Sequence, residues 1–192
     1  MLNRLLRLQL LLVSLLAAVS CGDTEYEYCI DYHCNFAFNM STHNTSVLNS
    51  CVSQTTSNTF CMVWSTKNPM RHVHVQMYGG KEEVNDITAD LELRQSTYEL
   101  GAGNGLVMGR SSFNNGQLYA FDRQCPNCLD NMRYRPLQWE SNGMKLHCGY
   151  CNRSYDLING GRVSSGESGK KLLRYKAYIT PTATGDMLIV RN

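Results

Sequence analysis

The chain carries almost no surplus charge, with 18 basic and 16 acidic side chains in 192 residues. No basic stripe interleaved with aromatics runs through it, so nucleic-acid binding lacks its electrostatic footprint. An apolar run of membrane-spanning length is missing too. The run from Leu8 to Val19 is broken by Gln9 and Ser14, and it falls short of the about 20 residues that a spanning helix needs. There are no internal repeats and no low-complexity tract. A Gly-x-Ser-x-Gly elbow, a His-Glu-x-x-His pair and a phosphate loop are all absent. Gly101-Ala102-Gly103-Asn104-Gly105 misses the third glycine of a dinucleotide fingerprint, because position 106 is leucine. It also leads into a strand-like run instead of a helix. The carboxylates show no spacing that marks a catalytic pair, so no enzyme class is readable.

What the chain does have is cysteine, nine in all. Cys125-Pro126-Asn127-Cys128 and Cys148-Gly149-Tyr150-Cys151 are two Cys-x-x-Cys turns separated by 19 residues. Each turn brings the sulfurs of i and i+3 to one point, and four thiolates together suit a tetrahedral metal, zinc or iron. Oxidation to disulfides is the competing state in an oxidising compartment, for example Cys125 with Cys148. A dithiol redox enzyme fits poorly, since neither turn opens a helix in a βαβ context. Cys29, Cys34, Cys51 and Cys61 have no knuckle spacing; they read as either buried small hydrophobes or disulfide partners, with three complete pairings open. His72 and His74 alternate in a strand and share one face, which lines a sheet more often than it binds a metal. His147 adjoins Cys148 but points to the opposite face.

The N-terminus reads as an export signal. Arg4 and Arg7 precede the apolar run, and Ala17, Ala18 and Ser20 lead to Cys21. A cysteine in that position resembles the lipobox of bacterial lipoproteins. Met1–Ser20 is then the signal, Cys21 the lipidated residue and 21–27 a hydrophilic tether, which places the protein on a membrane of the bacterial cell envelope. Without Arg4 and Arg7 the remaining chain has 16 charges of each sign.

Short apolar or alternating runs between turn signals predict an all-β sandwich or barrel. The runs are Asn35–Phe38, Phe60–Trp64, His72–Tyr78, Leu91–Leu93, Leu106–Met108, Leu118–Asp122, Leu137–Glu140, Met144–His147, Ser154–Leu157, Leu172–Ile179 and Met187–Val190. One short helix is predicted after Ser41 or Thr42, where Val47, Leu48, Cys51 and Val52 share a face.

From Leu118 onward the chain resembles the Rieske iron–sulfur domain family. Leu118–Pro126 is similar to the strand entering that family's first cluster loop, and Cys148–Leu157 to its second loop and following strand. Asn159-Gly160, Leu172–Tyr178 and Asp186–Val190 are similar to its ending, and Leu100–Val107 to an early strand. More narrowly, the chain looks like a lipoprotein branch with Cys-Pro-Asn-Cys where the electron carriers have Cys-x-His. The resemblance implies a Rieske-like antiparallel domain over 100–192, with a rubredoxin- or zinc-ribbon-like metal-loop subdomain at about 122–158. Residues 28–99 are then an N-terminal β elaboration. Cys125 and Cys148 match the family's cysteine ligands. Cys151 falls where the second histidine stands, Asn127 falls at the first, and Cys128 is displaced by one residue. The implied cofactor is a [2Fe–2S] cluster held by Cys125, Cys128, Cys148 and Cys151, at a potential lowered by replacing imidazoles with thiolates. The same ligands equally admit Zn²⁺ or a single iron. The implied partners are a membrane, through the lipid, and a redox or envelope protein that meets the loop tips around Asn127 and Tyr150.

Overall fold

A computed structural model describes residues 27–43, 45–65, 72–87, 98–113 and 115–192. The signal, Cys21, most of the tether and the expected run Leu91–Leu93 lie outside the described residues. The fold is antiparallel β throughout. A nine-stranded sheet has the order β4-β3-β2-β6-β7-β12-β13-β1-β5, and a four-stranded sheet the order β11-β10-β9-β8. In chain order the strands are β1 (Cys34–Asn39), β2 (Thr59–Ser65), β3 (His72–Met77), β4 (Glu83–Asp86), β5 (Glu99–Leu100), β6 (Gly105–Arg110) and β7 (Leu118–Asp122). They continue as β8 (Gln138–Glu140), β9 (Lys145–His147), β10 (Ser154–Asp156), β11 (Arg162–Ser165), β12 (Arg174–Thr182) and β13 (Gly185–Arg191). The helices among the described residues are α1 (Ser46–Val52), the single turn α2 (Pro126–Leu129) and a 3-10 turn at Ser141–Gly143. Strands from both sides of residue 100 share the large sheet, since β1 pairs with β13 and β2 with β6. No helix among the described residues is long and apolar enough to cross a membrane.

The large sheet folds back on itself. β7 and β12 meet through only two residue pairs, Phe121 with Arg174 and Ala120 with Tyr175, and that junction lets the two halves face each other. Phe36 and Phe38 of β1 and Leu188 and Val190 of β13 thereby enter one core with Cys61, Val63, Leu106, Met108, Leu118 and Ala120. The opposite faces of β2, β6 and β7, carrying Phe60, Met62, Val107, Tyr119 and Phe121, form a second core with Leu146 and Tyr155 of the small sheet and with Leu137 and Leu157 that flank it. Three central strands are thus buried on both faces, which explains why Phe60–Val63 and Leu118–Phe121 read as continuous apolar runs without alternation.

α1 begins three to four residues later than the sequence predicts. Thr45 is its N-cap, accepting from the Leu48 amide at 3.3 Å, and Leu48, Cys51 and Val52 face the core. Glu83 of β4 completes the cap from outside. Its carboxylate accepts from Thr45 Oγ1 (2.6 Å), Ser46 Oγ (2.6 Å) and the Val47 amide (3.1 Å). Burial raises the Glu83 pKa, but the two hydroxyls and the amides of Val47 and Ser46 outweigh it and leave the group below its usual value. A depressed carboxylate stabilises the fold above its unfolded pKa and loses that contribution as pH falls through the folded one. Glu83→Gln is therefore expected to cost about 1 kcal/mol at neutral pH, the gap from the unmodified chain closing on acidification. Urea unfolding at neutral and acidic pH measures it; equal stability of the two proteins at neutral pH would count against the cap.

Candidate metal centre

The two Cys-x-x-Cys turns arise from two loops that the small core closes. Beyond β7, the chain runs through Cys125 and α2 and returns antiparallel to itself, with the Cys125 amide donating to the Arg135 carbonyl (3.0 Å) and Leu137 to Arg123 (2.7 Å). Pro126 opens α2 because its fixed φ suits the first helical position, where no amide is needed. The second loop is the tip of the β9–β10 hairpin, in which Asn152 N donates to Cys148 O and Cys148 N to Arg153 O, both at 2.9 Å. Asn152 closes this turn at φ +56, a left-handed conformation that asparagine tolerates.

The loops bring the sulfurs of Cys125, Cys128, Cys148 and Cys151 within 4.8 Å of one another. The close pairs cross between the loops: Cys125 to Cys151 at 3.7 Å and Cys128 to Cys148 at 3.6 Å. A disulfide needs about 2.05 Å, so neither pair is bonded, and all eight described cysteines are free thiols. A tetrahedral ion with sulfur at about 2.3 Å requires an edge of about 3.8 Å. The donor set and its spacing fit one metal ion. A [2Fe–2S] cluster would need the thiolate pairs to separate, because a second iron and two sulfides lie between them.

The surroundings pull the sulfurs in opposite directions and favour the anion at Cys151. Tyr155 of β10 donates its hydroxyl to Cys125 Sγ at 3.2 Å, while Asn127 Nδ2 donates to the same hydroxyl at 2.9 Å. Burial pushes the Cys125 thiol up to about 11 despite the Tyr155 hydroxyl and the Cys128 amide, which pull it down. Burial also raises Cys128. Cys151 goes the other way: burial raises it, but the Arg153 guanidinium and amide prevail and bring it to about 7. Such a centre holds its ligands deprotonated chiefly through the metal charge itself.

A third segment, Gly166–Lys171, clamps both loops, and nothing in the sequence marks it beyond Gly166 and Gly169. Asn127 Oδ1 accepts from the Lys170 amide and Asn127 Nδ2 donates to the Lys170 carbonyl, both at 2.9 Å. Arg153 donates from Nε to the Glu167 carbonyl (2.9 Å) and pairs with its carboxylate (2.6 Å). A Cβ at Gly169 would sit 2.3 Å from Asn127 Oδ1, and one at Gly166, where φ is +90, 2.6 Å from Asn152 O. Both approaches require glycine. Asn127, which the resemblance places at a histidine position, thus acts as a tie between the first loop, the third segment and Tyr155. No protein-family model and no curated protein matches the chain.

The other sequence-singled residues lie away from this centre. Cys34, Cys51 and Cys61 are fully buried and Cys29 nearly so, all within the first core. The Cys34 thiol points at the Val190 carbonyl (3.8 Å), and Cys51 and Cys61 meet as hydrogen-bonded thiols. His74 stacks on Trp64 and meets Glu82, and His147 pairs with Ser154 Oγ at 3.2 Å. None of these histidines joins the four sulfurs. The glycine-rich Gly101–Gly105 segment has a structural use. The Ala102 and Gly103 amides bind the buried Asp122 carboxylate at 2.6 and 3.1 Å.

Proposed function

We propose that this chain is a Rieske-like, lipid-anchored envelope protein whose four cysteines hold one tetrahedral iron and exchange single electrons with a partner. The observation that carries this reading is the sulfur spacing, 3.6 and 3.7 Å across the loops, which matches the edge around one ion. The all-sulfur donor set suits iron, and the resemblance of the two loops to iron–sulfur loops favours iron over zinc. The bound iron would supply one-electron redox chemistry. The residues around it shield the sulfurs from water and set hydrogen bonds to Cys125 and Cys151, the levers that tune such a centre. Cys21 provides the membrane attachment in this reading, and the hydrophilic tether that follows it separates the domain from the lipid. A second reading uses the same spacing with zinc, which makes the centre a structural staple in an interaction lipoprotein.

Elemental analysis with a visible spectrum, on protein purified anaerobically from its native compartment, separates these. One iron per chain, with a thiolate-to-iron charge-transfer band and no acid-labile sulfide, is the expected result. Iron with an equal amount of sulfide would make the centre a [2Fe–2S] cluster. Zinc alone, or no metal with oxidised thiols, would end the electron-transfer reading.

A further inference from the structure

The four-cysteine centre is closed on three of its ligands and open at one. Cys125, Cys128 and Cys148 are buried, while Cys151 is partly exposed. Beside it stands Tyr150, 50 % exposed, whose ring meets two guanidiniums. Arg133 and Arg135 each lie 4.9 Å from the ring centroid, and Arg133 Nη1 donates to the Tyr150 hydroxyl. Both guanidiniums come from the segment that returns from α2 towards β8. Among the described residues neither guanidinium pairs with a carboxylate. The cationic cleft around Arg162 and Arg174 differs, because Glu27 meets Arg174 Nη1 there at 3.1 Å. The residue before Arg133, Met132, is 88 % exposed and held at φ +54. A strained backbone that presents an apolar side chain to water is a feature more common at functional surfaces than elsewhere.

We propose that Arg133, Tyr150, Arg135 and Met132 form the docking surface for an acidic-faced electron-transfer protein. This rests on the redox reading of the four-cysteine centre given above. The argument for that occupant is charge complementarity: two cations with no carboxylate partner among the described residues flank an aromatic anchor at the open edge of the centre. Arginine, tyrosine and methionine are the residues enriched in protein interfaces. The two cation contacts and the Arg133 hydrogen bond fix the Tyr150 ring before binding, so little side-chain entropy remains to be lost there.

The test uses the purified full chain and three probes: a plant-type ferredoxin with an acidic surface, cytochrome c with a basic one, and phosphatidylglycerol vesicles. The expected result is binding to the ferredoxin that weakens steeply with salt, and none to cytochrome c. Arg133→Gln with Arg135→Gln is expected to lower that affinity about 10- to 100-fold at low ionic strength, with metal content unchanged. Met132→Gly separates docking from folding. It is expected to raise the unfolding midpoint, by relieving the left-handed methionine, and at the same time to weaken ferredoxin binding. Absence of ferredoxin binding, equal binding of both proteins, binding confined to the vesicles, or affinity unmoved by the variants would each overturn the proposal. Should the chain contain only zinc, the electron-transfer reading fails by metal analysis, whereas the probe preference still decides whether the patch docks acidic proteins.

Discussion

Cys148→Ala is expected to abolish metal retention and lower the stability of the loaded protein by about 4 kcal/mol, the linkage contribution of a ligand present at about 1,000 times its Kd. Cys148 is the ligand to choose because it is buried, lies 3.6 Å from Cys128 and starts the hairpin tip that its own backbone closes. With three sulfurs left, the site cannot complete a tetrahedron, and affinity should fall by more than the about 10- to 100-fold typical of losing an outer hydrogen bond. The destabilisation should vanish in chelator, where both proteins lack metal. That dependence distinguishes a lost ligand from a cavity, which costs the same with or without metal. Cys61→Ala is the control, since Cys61 is equally buried but lies in the first core against Cys51, away from the four sulfurs. It should destabilise modestly and leave the metal in place. Elemental analysis and urea unfolding, each with and without chelator, measure both variants. A Cys148→Ala protein with unchanged metal content would sink the ligand assignment.

The fold is legible in the sequence where the hydrophobic pattern is strong. β2, β6 and β7 are apolar on both faces because each is sandwiched between two cores, and their runs stand out in the sequence. β4, β5 and β11 do not. Glu83–Asp86 and Arg162–Ser165 have no fully buried residue, and β5 is two residues long, so pairing with neighbours defines them and composition cannot. Ser41 and Thr42 are as good a cap by type as Thr45, so the sequence alone points to an earlier α1 start. Only Glu83, brought in from 38 positions away, selects Thr45. The four sulfurs were legible because Cys-x-x-Cys spacing is local. The Gly166–Lys171 clamp, the Asn127 ties and the Arg133–Tyr150–Arg135 stack were not, because each joins segments whose proximity is fixed only by the folded sheet.

Asp122→Ala should be the most damaging change outside the cysteines, costing about 3–5 kcal/mol, as expected when the partner of a buried hydrogen-bonded charge is lost. Asp122 ends β7, and its fully buried carboxylate gathers four donors. These are the amides of Ala102 (2.6 Å), Gly103 (3.1 Å) and Gln124 (2.7 Å), and the Tyr175 hydroxyl (2.8 Å). Burial lifts its pKa above the ordinary carboxylate range, and the four donors pull it back only in part. Alanine would leave all four donors buried without an acceptor. The site also leaves no room to adjust. At Gly101, where φ is +69, a Cβ would come within 2.3 Å of the Asp122 carboxylate and 2.4 Å of the Tyr175 hydroxyl. The Gly101–Gly103 turn that fails as a nucleotide motif is thus a cradle for a carboxylate of the protein itself. Because the Gln124 amide is one of the four donors and Cys125 follows it directly, the damage should reach the metal loop. The expected outcome is a loss of stability in both metal-loaded and chelated protein, together with weaker metal binding. Tyr175→Phe should cost about 1–2 kcal/mol, and the double variant should cost less than the sum, since the two side chains share one bond. Urea unfolding of the three proteins with metal titration reads this directly. A loss under about 1 kcal/mol for Asp122→Ala would mean that the carboxylate is not the pin between the sheet and the four-cysteine centre.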